Sequence, residues 1–321
     1  FKNLSYILDI YMGKTEPCKG FFPYAVYSTM FPHMTAGPIV RYTDISESIS
    51  RRSINTTRLG AGAELFIKGL SKKVLLADNL SALYTTLQAS GTTSFVGTWL
   101  AIGAYTLELY FDFSGYSDMA IGLGQMLGFN FNKNFDYPYI STSVSEFWRR
   151  WHISLGSWFR DYIYIPLGGN RVSTGRHIRN ILVVWALTGL WHGASWNFVF
   201  WGVYYGLLLL AEKFLLGRFL EKAPVWLRNL YTMFAVIIGW VFFSQTTPAA
   251  IGKMLGAMFG LGASCFADRA SLYALKSGLI LMIISVISCR PGLYQYFKRL
   301  ARRNTYLAAV INAILFFLCI A

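Results

Sequence analysis

The stretch ILVVWALTGLWHGASWNFVFWGVYYGLLLL, residues 181–210, contains no aspartate, glutamate, lysine or arginine. Basic residues stand on both sides of it, with Arg179 before and Lys213 after. Two complete crossings of a bilayer need about 40 residues, so this run is short for two. Because cytoplasmic loops concentrate lysine and arginine, we expect both flanks inside and a broken, re-entrant pair of helices between them. The alternative, a single tilted crossing, would put one basic flank outside.

The composition of the whole chain is that of a membrane protein. Of its 321 residues, 55% are hydrophobic and 14% are charged, whereas a soluble domain carries about 25% charged residues. Mean hydropathy is +0.42. The formal net charge is +14, but the basic residues lie between apolar runs, as in cytoplasmic loops. We therefore predict a multi-pass transmembrane protein and no nucleic-acid partner.

The segment 60–77 has a helical charge pattern. Glu64, Lys68 and Lys72 recur every four residues and share one face of a helix. This spacing predicts an amphipathic helix that lies on or enters the bilayer. A solvated salt-bridge face explains the same spacing.

The long run 95–129 holds Glu108 and a pair of aspartates, Asp112 and Asp118, in a region without basic residues. As one straight helix the run would be about 52 Å long, beyond a single span, so we expect it to be bent, split or strongly tilted at its glycines. Charges at membrane depth are costly, which makes both carboxylates candidate substrate-binding residues. Helix capping or pairing with structural arginines is the alternative role.

The segment 147–164 is the densest aromatic and basic part of the chain. Its large apolar side chains recur at spacings of three and four, which predicts an interfacial helix. The residues of this stripe are Trp148, Trp151, Leu155, Trp158 and Tyr162.

His152 lies inside that segment, directly after Trp151. With Arg149 and Arg150 beside it, it is a candidate for binding a phosphate-bearing or thioester-bearing donor. Membrane anchoring by an interfacial histidine is the alternative.

His192 lies near the middle of the uncharged run. An imidazole, with an unperturbed pKa of about 6.5, accepts and returns a proton near neutrality, so His192 is our first candidate for a general base. Gly189 and Gly193 flank it and would let a substrate approach the ring. We group Trp191, Trp196 and Asn197 with it as substrate-binding candidates, the tryptophans excluding water. A histidine hydrogen-bonded across helices for packing is the alternative.

Several standard sites are missing from the sequence. It has no phosphate-binding loop, no His-Glu-x-x-His, no Cys-x-x-Cys and no Gly-x-Ser-x-Gly motif. We therefore expect no metal and no serine nucleophile.

Four blocks resemble the membrane-bound O-acyltransferase family, in particular its alginate O-acetyltransferase-like bacterial branch. They are PHMTAGPI at 32–39, YFDFSGYSDMA at 110–120, the stretch 146–171 and GLWHG at 189–193. The resemblance places the family's essential histidine on His192 and its second active-site polar position on His152. It also implies an all-α fold of helices around a central tunnel.

The resemblance further implies a function. The family moves an acyl group, here acetyl, from a cytoplasmic thioester such as acetyl-CoA toward an acceptor hydroxyl, with no bound cofactor. Related systems serve exported polysaccharides from the bacterial inner membrane, with an extracytoplasmic acetyl-transferring partner protein. D-alanyl transfer and lipid or protein acylation are alternatives within the family.

Two other classes of function compete with acyl transfer. A proton-coupled transporter would use Asp112, Asp118 and His192 as a relay near the midplane of the membrane. A non-catalytic scaffold would leave these residues without a purpose. A transporter would show repeated halves, and we find none in the sequence.

The chain begins at Phe1 without a methionine or signal peptide and stops at Ala321 within an apolar run. We expect one integral-membrane domain over 1–321, a fragment that lacks upstream helices and the C-terminal end.

Overall fold

The computed structural model describes residues 1–34, 36–91 and 94–321; Thr35 of the first family-like block lies outside them. Within these residues the chain is helical and has no β-strand. The α-helices are α1 (Lys2–Tyr11), α2 (Phe21–Thr29), α3 (Tyr42–Arg51), α4 (Thr56–Ser71), α5 (Asp78–Ala89), α6 (Phe95–Met126), α7 (Val144–Arg150), α8 (Ile153–Phe159), α9 (Thr174–His192), α10 (Trp196–Ala211), α11 (Gly217–Lys222), α12 (Val225–Ser244), α13 (Pro248–Met258), α14 (Arg269–Ser288), α15 (Pro291–Arg303) and α16 (Thr305–Ile320).

Three helical stretches in the described residues are long and apolar enough to cross a membrane. They are Trp196–Lys222, Val225–Ser244 and Arg269–Ser288. Each reaches the length of about 20 residues that a hydrocarbon core of about 30 Å requires. The all-α membrane fold predicted from composition and resemblance is confirmed.

The uncharged run forms a hairpin of two antiparallel helices, α9 and α10. Lys213 Nζ, just after α10, lies 3.4 Å from His177 Nε2 near the start of α9, so both basic flanks are at one end. The second helix continues through a π-helical turn to Lys222 and is 27 residues long. Glu212 fits inside it because its carboxylate accepts hydrogen bonds from the backbone of Val144 and Ser145 at 2.5 and 2.9 Å. The second helix is therefore long enough to cross the bilayer, and the re-entry that the uncharged run alone suggested is not required.

α6 is one unbroken helix of 32 residues, about 48 Å long. Its glycines allow close packing against α4. A Cβ on Gly122 would lie 2.5 Å from the carbonyl oxygen of Gly62, and one on Gly115 would lie 2.7 Å from that of Gly69. Since such distances are too short for a side chain, glycine is required wherever these two backbones touch.

The charged face of α4 packs against α6 as well. Lys72 Nζ lies 2.7 Å and Lys68 Nζ 3.6 Å from the carboxylate of Asp118, while Glu64 stays exposed. The two lysines thus face a carboxylate on the neighbouring helix, which compensates their charge, rather than the bilayer.

The aromatic segment 147–164 is two short helices, α7 and α8, followed by a π-helical turn. The break falls at His152, whose φ of +43° is left-handed. Two hydrogen bonds from the chain before α7 hold it: Asp136 N donates to Arg150 O and Ile153 N to Asn134 O, both at 2.9 Å. The predicted single interfacial helix is therefore wrong, and its stripe is buried because it packs in the aromatic core. Four of the five residues are buried, with exposed fractions of 5% for Trp151, 6% for Leu155, 3% for Trp158 and 6% for Tyr162, and Trp148 is half-buried.

Candidate active site

A cavity of about 470 Å³ lies among α6 to α10 and α12. Both predicted histidines, His152 and His192, line it, and so does Arg149. We call it the histidine cavity. Nine of its lining residues are phenylalanine, tryptophan or tyrosine: Phe113, Trp148, Trp151, Phe159, Tyr164, Trp185, Trp201, Trp240 and Phe243.

His192 is the last residue of α9 and is surrounded by aromatic rings. Its ring centroid lies 4.7 Å from that of Trp191, 4.9 Å from Trp201 and 5.1 Å from Phe243. No hydrogen bond to another described residue holds the imidazole. Its nitrogens therefore remain available to a ligand in the cavity.

Gly189 and Gly193 have a packing role at the end of α9. A Cβ on Gly189 would lie 2.5 Å from the carbonyl oxygen of Phe198, and one on Gly193 would lie 2.8 Å from the Phe198 ring. The space beside both glycines is filled by α10, so they bring the hairpin together rather than admit a substrate.

His152 is 6% exposed and belongs to a hydrogen-bonded network. Its Nδ1 lies 3.2 Å from Asn134 Oδ1, which also accepts from the backbone N of Ser154 at 3.1 Å and from Ser154 Oγ at 2.8 Å. Asn134 Nδ2 in turn donates to Ser117 Oγ at 3.1 Å. Every polar atom of the amide is therefore in use.

This network determines which nitrogen of neutral His152 carries the proton. A backbone N–H can only donate, so the Asn134 atom that meets the N–H of Ser154 is the amide oxygen. That oxygen can only accept, and His152 must therefore donate from Nδ1. The lone pair of the neutral ring is on Nε2, which is the nitrogen free to accept a proton.

Arg149 and Arg160 also line the histidine cavity, and both are exposed. Val184 and His192, eight residues apart on α9, line it as well, which corresponds to about 12 Å along the helix. The cavity can therefore hold an extended ligand that carries negative charge near the arginines.

Three predicted substrate-binding residues do not line the cavity. Trp191 lies with its ring centroid 6.1 Å from His152 and 4.7 Å from His192. Trp196 is 67% exposed and packs on Phe200. Asn197 is buried at the start of α10.

The predicted acidic residues lie elsewhere. Asp112 pairs with Lys73 at 2.6 Å, and Asp118 pairs with Lys72 and Lys68. Neither lines the histidine cavity. The transporter hypothesis needs these carboxylates and His192 in one relay, and the structure does not bring them together.

Asp118 and Arg150 line a second cavity, of about 570 Å³, which we call the lysine cavity. Its charged lining residues are Lys68, Lys72, Asp118, Lys133, Asp136, Arg150 and Lys298.

Ion pairs hold Arg150 in that wall. It bonds Glu146 at 2.8 Å and Asp136 at 3.6 Å. Burial raises the pKa of Glu146, but hydrogen bonds from Thr142 and Arg150 outweigh burial and hold this pKa below its ordinary value. Arg150 is therefore a structural partner of carboxylates, whereas its neighbour Arg149 faces the histidine cavity.

In the described part of the chain, no group of three or more His, Cys, Asp or Glu side chains could hold a metal ion.

The sequence profile of the membrane-bound O-acyltransferase family matches residues 19–252. The chain belongs to this family. A probable alginate O-acetylase of Azotobacter vinelandii is 41% identical over 304 residues, 93% of this chain and 60% of the relative. A peptidoglycan O-acetyltransferase of Helicobacter pylori is 36% identical over 248 residues, 75% of this chain and 47% of the relative.

A teichoic acid D-alanyltransferase of Streptococcus thermophilus is 31% identical over 200 residues, 56% of this chain and 47% of the relative. This chain of the membrane-bound O-acyltransferase family thus spans about 60% or less of the length of these relatives. The resemblance drawn from the four sequence blocks is confirmed.

Sequence reasoning missed two polar residues of this family member's cavity region, Asn134 and Arg160. Asn134 is one of three asparagines in FNFNKN, residues 129–134, and nothing in their spacing marks it. Burial distinguishes it, at 1% exposed. Arg160 belongs to no motif in the sequence, yet the π-helical turn after α8 places it on the cavity.

Proposed function

We propose that the protein is a multi-pass O-acyltransferase of the bacterial inner membrane. It moves an acyl group, by preference acetyl, from a cytoplasmic thioester such as acetyl-CoA toward hydroxyls of an exported polysaccharide. The observation that supports this most is that His152 and His192 line one cavity together with the exposed arginines Arg149 and Arg160. The alginate and peptidoglycan acetylating relatives support the acetyl group and the glycan acceptor.

The orientation of the protein in the membrane follows from the position of its basic residues. The start of α9 and the end of α10 share one end of the molecule with Arg176, Arg179 and Lys213. Under the positive-inside rule this end is cytoplasmic. Arg149 and Arg160 then meet the phosphates of a donor arriving from the cytoplasm, and the thioester extends toward His192.

In this proposal His192 is the general base. It removes the proton from the acceptor hydroxyl as that oxygen attacks the thioester carbonyl carbon. The new C–O bond forms, the C–S bond breaks, and the proton on His192 passes to the thiolate that leaves. General-base catalysis of this kind contributes about 10²- to 10⁴-fold.

His152 is the second catalytic residue of this proposal. Its Nε2 carries the lone pair because Asn134 accepts from Nδ1, so it accepts a hydrogen bond from the donor or from the acceptor hydroxyl. Trp191, between the two imidazoles, limits the access of water that would hydrolyse the thioester.

The decisive experiment uses the full-length protein reconstituted in vesicles with acetyl-CoA. We expect release of free CoA that depends on an added polysaccharide and on the extracytoplasmic acetyl-transferring partner protein. A transporter would move solute without consuming thioester, and that result would reject the proposal. D-alanyl transfer is the second candidate, supported by the Streptococcus relative, and a D-alanyl thioester in the same assay tests it.

A further inference from the structure

The lysine cavity carries an excess of positive charge. Five of its lining residues are cations, and two, Asp118 and Asp136, are anions. Glu146 lies outside the cavity and supplies a third carboxylate, which pairs with Arg150. Three carboxylates against five cations leave two positive charges in excess. Lys298 is one of the five and forms no ion pair in the described part of the chain.

Lysine side chains in this cavity keep accessible surface. The side chain of Lys68 is 30% exposed and that of Lys133 is 59% exposed, and Lys298 is exposed as well. Because a lysine carries its ammonium group on a flexible four-carbon stem, side chains with this accessibility can turn their charge toward a ligand. An anion that enters the cavity can therefore reach them.

Cations of two helices meet at one ring on α15. The Nζ atom of Lys68, on α4, lies 3.9 Å from the ring centroid of Tyr294, and that of Lys298 lies 5.8 Å from it. Pro291, Tyr294 and Lys298 all line the cavity. α15 therefore forms one wall of the lysine cavity, and an anion bound there would contact α4 and α15 together.

α15 has the surroundings and the composition of a helix at a membrane surface. It follows α14, which is long and apolar enough to cross a bilayer, and it precedes the apolar helix α16. Its sequence, PGLYQYFKRLARR, is rich in basic and aromatic residues. Helices of this kind lie in the interface, at the level of the phospholipid headgroups. The positive-inside rule puts so basic a segment on the cytoplasmic side.

The acyl donor is another phosphate-bearing molecule, but the lysine cavity is poorly placed for it. Tyr110 and Phe135 line the lysine cavity and Trp151 lines the histidine cavity. The ring centroids of Tyr110 and Phe135 lie 6.2 and 5.1 Å from that of Trp151. A donor whose phosphates occupied the lysine cavity would have these rings between its phosphates and the histidines. A lipid headgroup needs no path to the histidines and therefore matches this position better.

We propose that the lysine cavity binds the phosphate of an anionic phospholipid from the surrounding leaflet. The phosphate oxygens accept hydrogen bonds from Lys68 and Lys298, so that the lipid bridges α4 and α15. Leu65 and Ile121, which also line the cavity, contact the glycerol and the first methylene groups. A zwitterionic lipid fits less well, because the excess cations repel its ammonium group. This inference goes beyond acyl transfer and does not depend on it.

The test measures lipid binding to the full-length protein, delipidated in a neutral detergent, by native mass spectrometry. The probes are phosphatidylglycerol and phosphatidylcholine with the same acyl chains. One lysine contributes about 1 kcal/mol to the attraction of an anionic lipid, which is about fivefold in affinity. Two excess charges therefore predict that wild-type protein prefers phosphatidylglycerol about 30-fold. We expect Lys298→Gln to weaken phosphatidylglycerol binding about fivefold, and Lys68→Gln combined with Lys298→Gln to abolish the preference.

Arg299→Gln is the matched control. It removes the same charge from the neighbouring exposed position of α15, but Arg299 does not line the cavity. We expect its affinity for phosphatidylglycerol to stay within about twofold of the wild type, because neutral detergent presents no charged surface. Since Lys298 is exposed and unpaired, Lys298→Gln is expected to fold even if the double variant does not.

The remaining outcomes overturn the inference. Equal affinity of wild-type protein for both lipids rejects an anionic lipid site, and equal losses in Lys298→Gln and Arg299→Gln would show attraction to the whole basic surface instead. Inorganic phosphate and CoA, added at constant ionic strength, identify soluble ligands. Displacement of phosphatidylglycerol by inorganic phosphate would assign the cavity to a soluble phosphate, and displacement by CoA alone would assign it to the donor. No thioester is consumed in these measurements, so absence of lipid binding leaves the proposed acyl transfer intact.

Discussion

The histidine cavity and the lysine cavity lie on two sides of one aromatic stack. Trp151 lines the first, and Tyr110 and Phe135 line the second, with ring centroids 6.2 and 5.1 Å from that of Trp151. In the lysine cavity the carboxylates Asp118 and Asp136 are both engaged in ion pairs.

In the histidine cavity each imidazole keeps a nitrogen that no described residue engages. His152 is held by Asn134 through Nδ1, which leaves its Nε2, and His192 makes ring contacts but no hydrogen bond to a described residue. Groups that pair with one another stabilise a fold, whereas groups left unpaired at some cost are characteristic of sites that act on a ligand. We therefore assign chemistry to the first cavity and structure to the second.

The largest expected effect is that of His192→Gln. The side chain makes ring contacts and no hydrogen bond to a described residue, so we expect a folded protein whose CoA release falls about 10²- to 10⁴-fold. CoA release per molecule, with size-exclusion chromatography as the folding control, measures this. If the folded variant acylates at a near-normal rate, His192 is not the general base and the two cavities do not differ in function.

The next largest effect is expected from substitution of Asn134. Asn134→Ala leaves Nδ1 of His152 without its acceptor, and we expect kcat to fall about tenfold, the worth of one hydrogen bond of about 1.4 kcal/mol. Ser117→Ala, which removes only the partner of Asn134 Nδ2, is the control and is expected to act more weakly. Equal losses in both variants would indicate a packing role only.

Asn134→Asp sharpens this test through the pH profile. A carboxylate beside the imidazole raises the pKa of His152 because it favours the charged ring. More of the ring is then protonated at neutral pH, so activity lost near pH 7 is regained as the pH rises. A pH–rate profile that overlays that of the wild type would show that the neutral form of His152 is not required.

Asp118→Asn probes the lysine cavity. It leaves Lys72 and Lys68 without their shared carboxylate, and we expect a loss of about 1–3 kcal/mol in unfolding free energy, because both partners remain partly solvated. CoA release per folded molecule is expected to stay unchanged. Normal thermal unfolding with a selective loss of turnover would assign chemistry to the second cavity too.

The smallest effect is expected from Trp196→Ala. This side chain is 67% exposed, so we expect stability and turnover to change little, as for other surface positions. Trp191→Ala is the matched comparison, since its ring lies between the two imidazoles, and we expect more hydrolysis of acetyl-CoA without acceptor. Similar hydrolysis in both variants would show that Trp196 also excludes water.

Sequence patterns predicted the helices and both histidines because each has a local signal. Apolar runs follow from bilayer thickness, and an intramembrane histidine is conspicuous because it is costly. The same patterns failed at 147–164, where a helical spacing continues across His152 although the backbone turns. Two backbone hydrogen bonds impose that turn: Ile153 N donates to Asn134 O, and Asp136 N donates to Arg150 O. Asn134 and Asp136 lie far from the turn in the sequence, and no motif marks them.

By itself the sequence determined an all-helical membrane protein, its family and His192 as the first candidate base. The length of an apolar run and the chemistry of a residue are local properties that the sequence shows directly. Only the tertiary structure decided that His152 lines one cavity with His192, that Asp112 and Asp118 pair with lysines elsewhere, and that Asn134 holds the ring of His152. All of these depend on side-chain contacts between different parts of the chain. Close packing and the pairing of buried charges determine such contacts, and neither can be read from a single segment of the sequence.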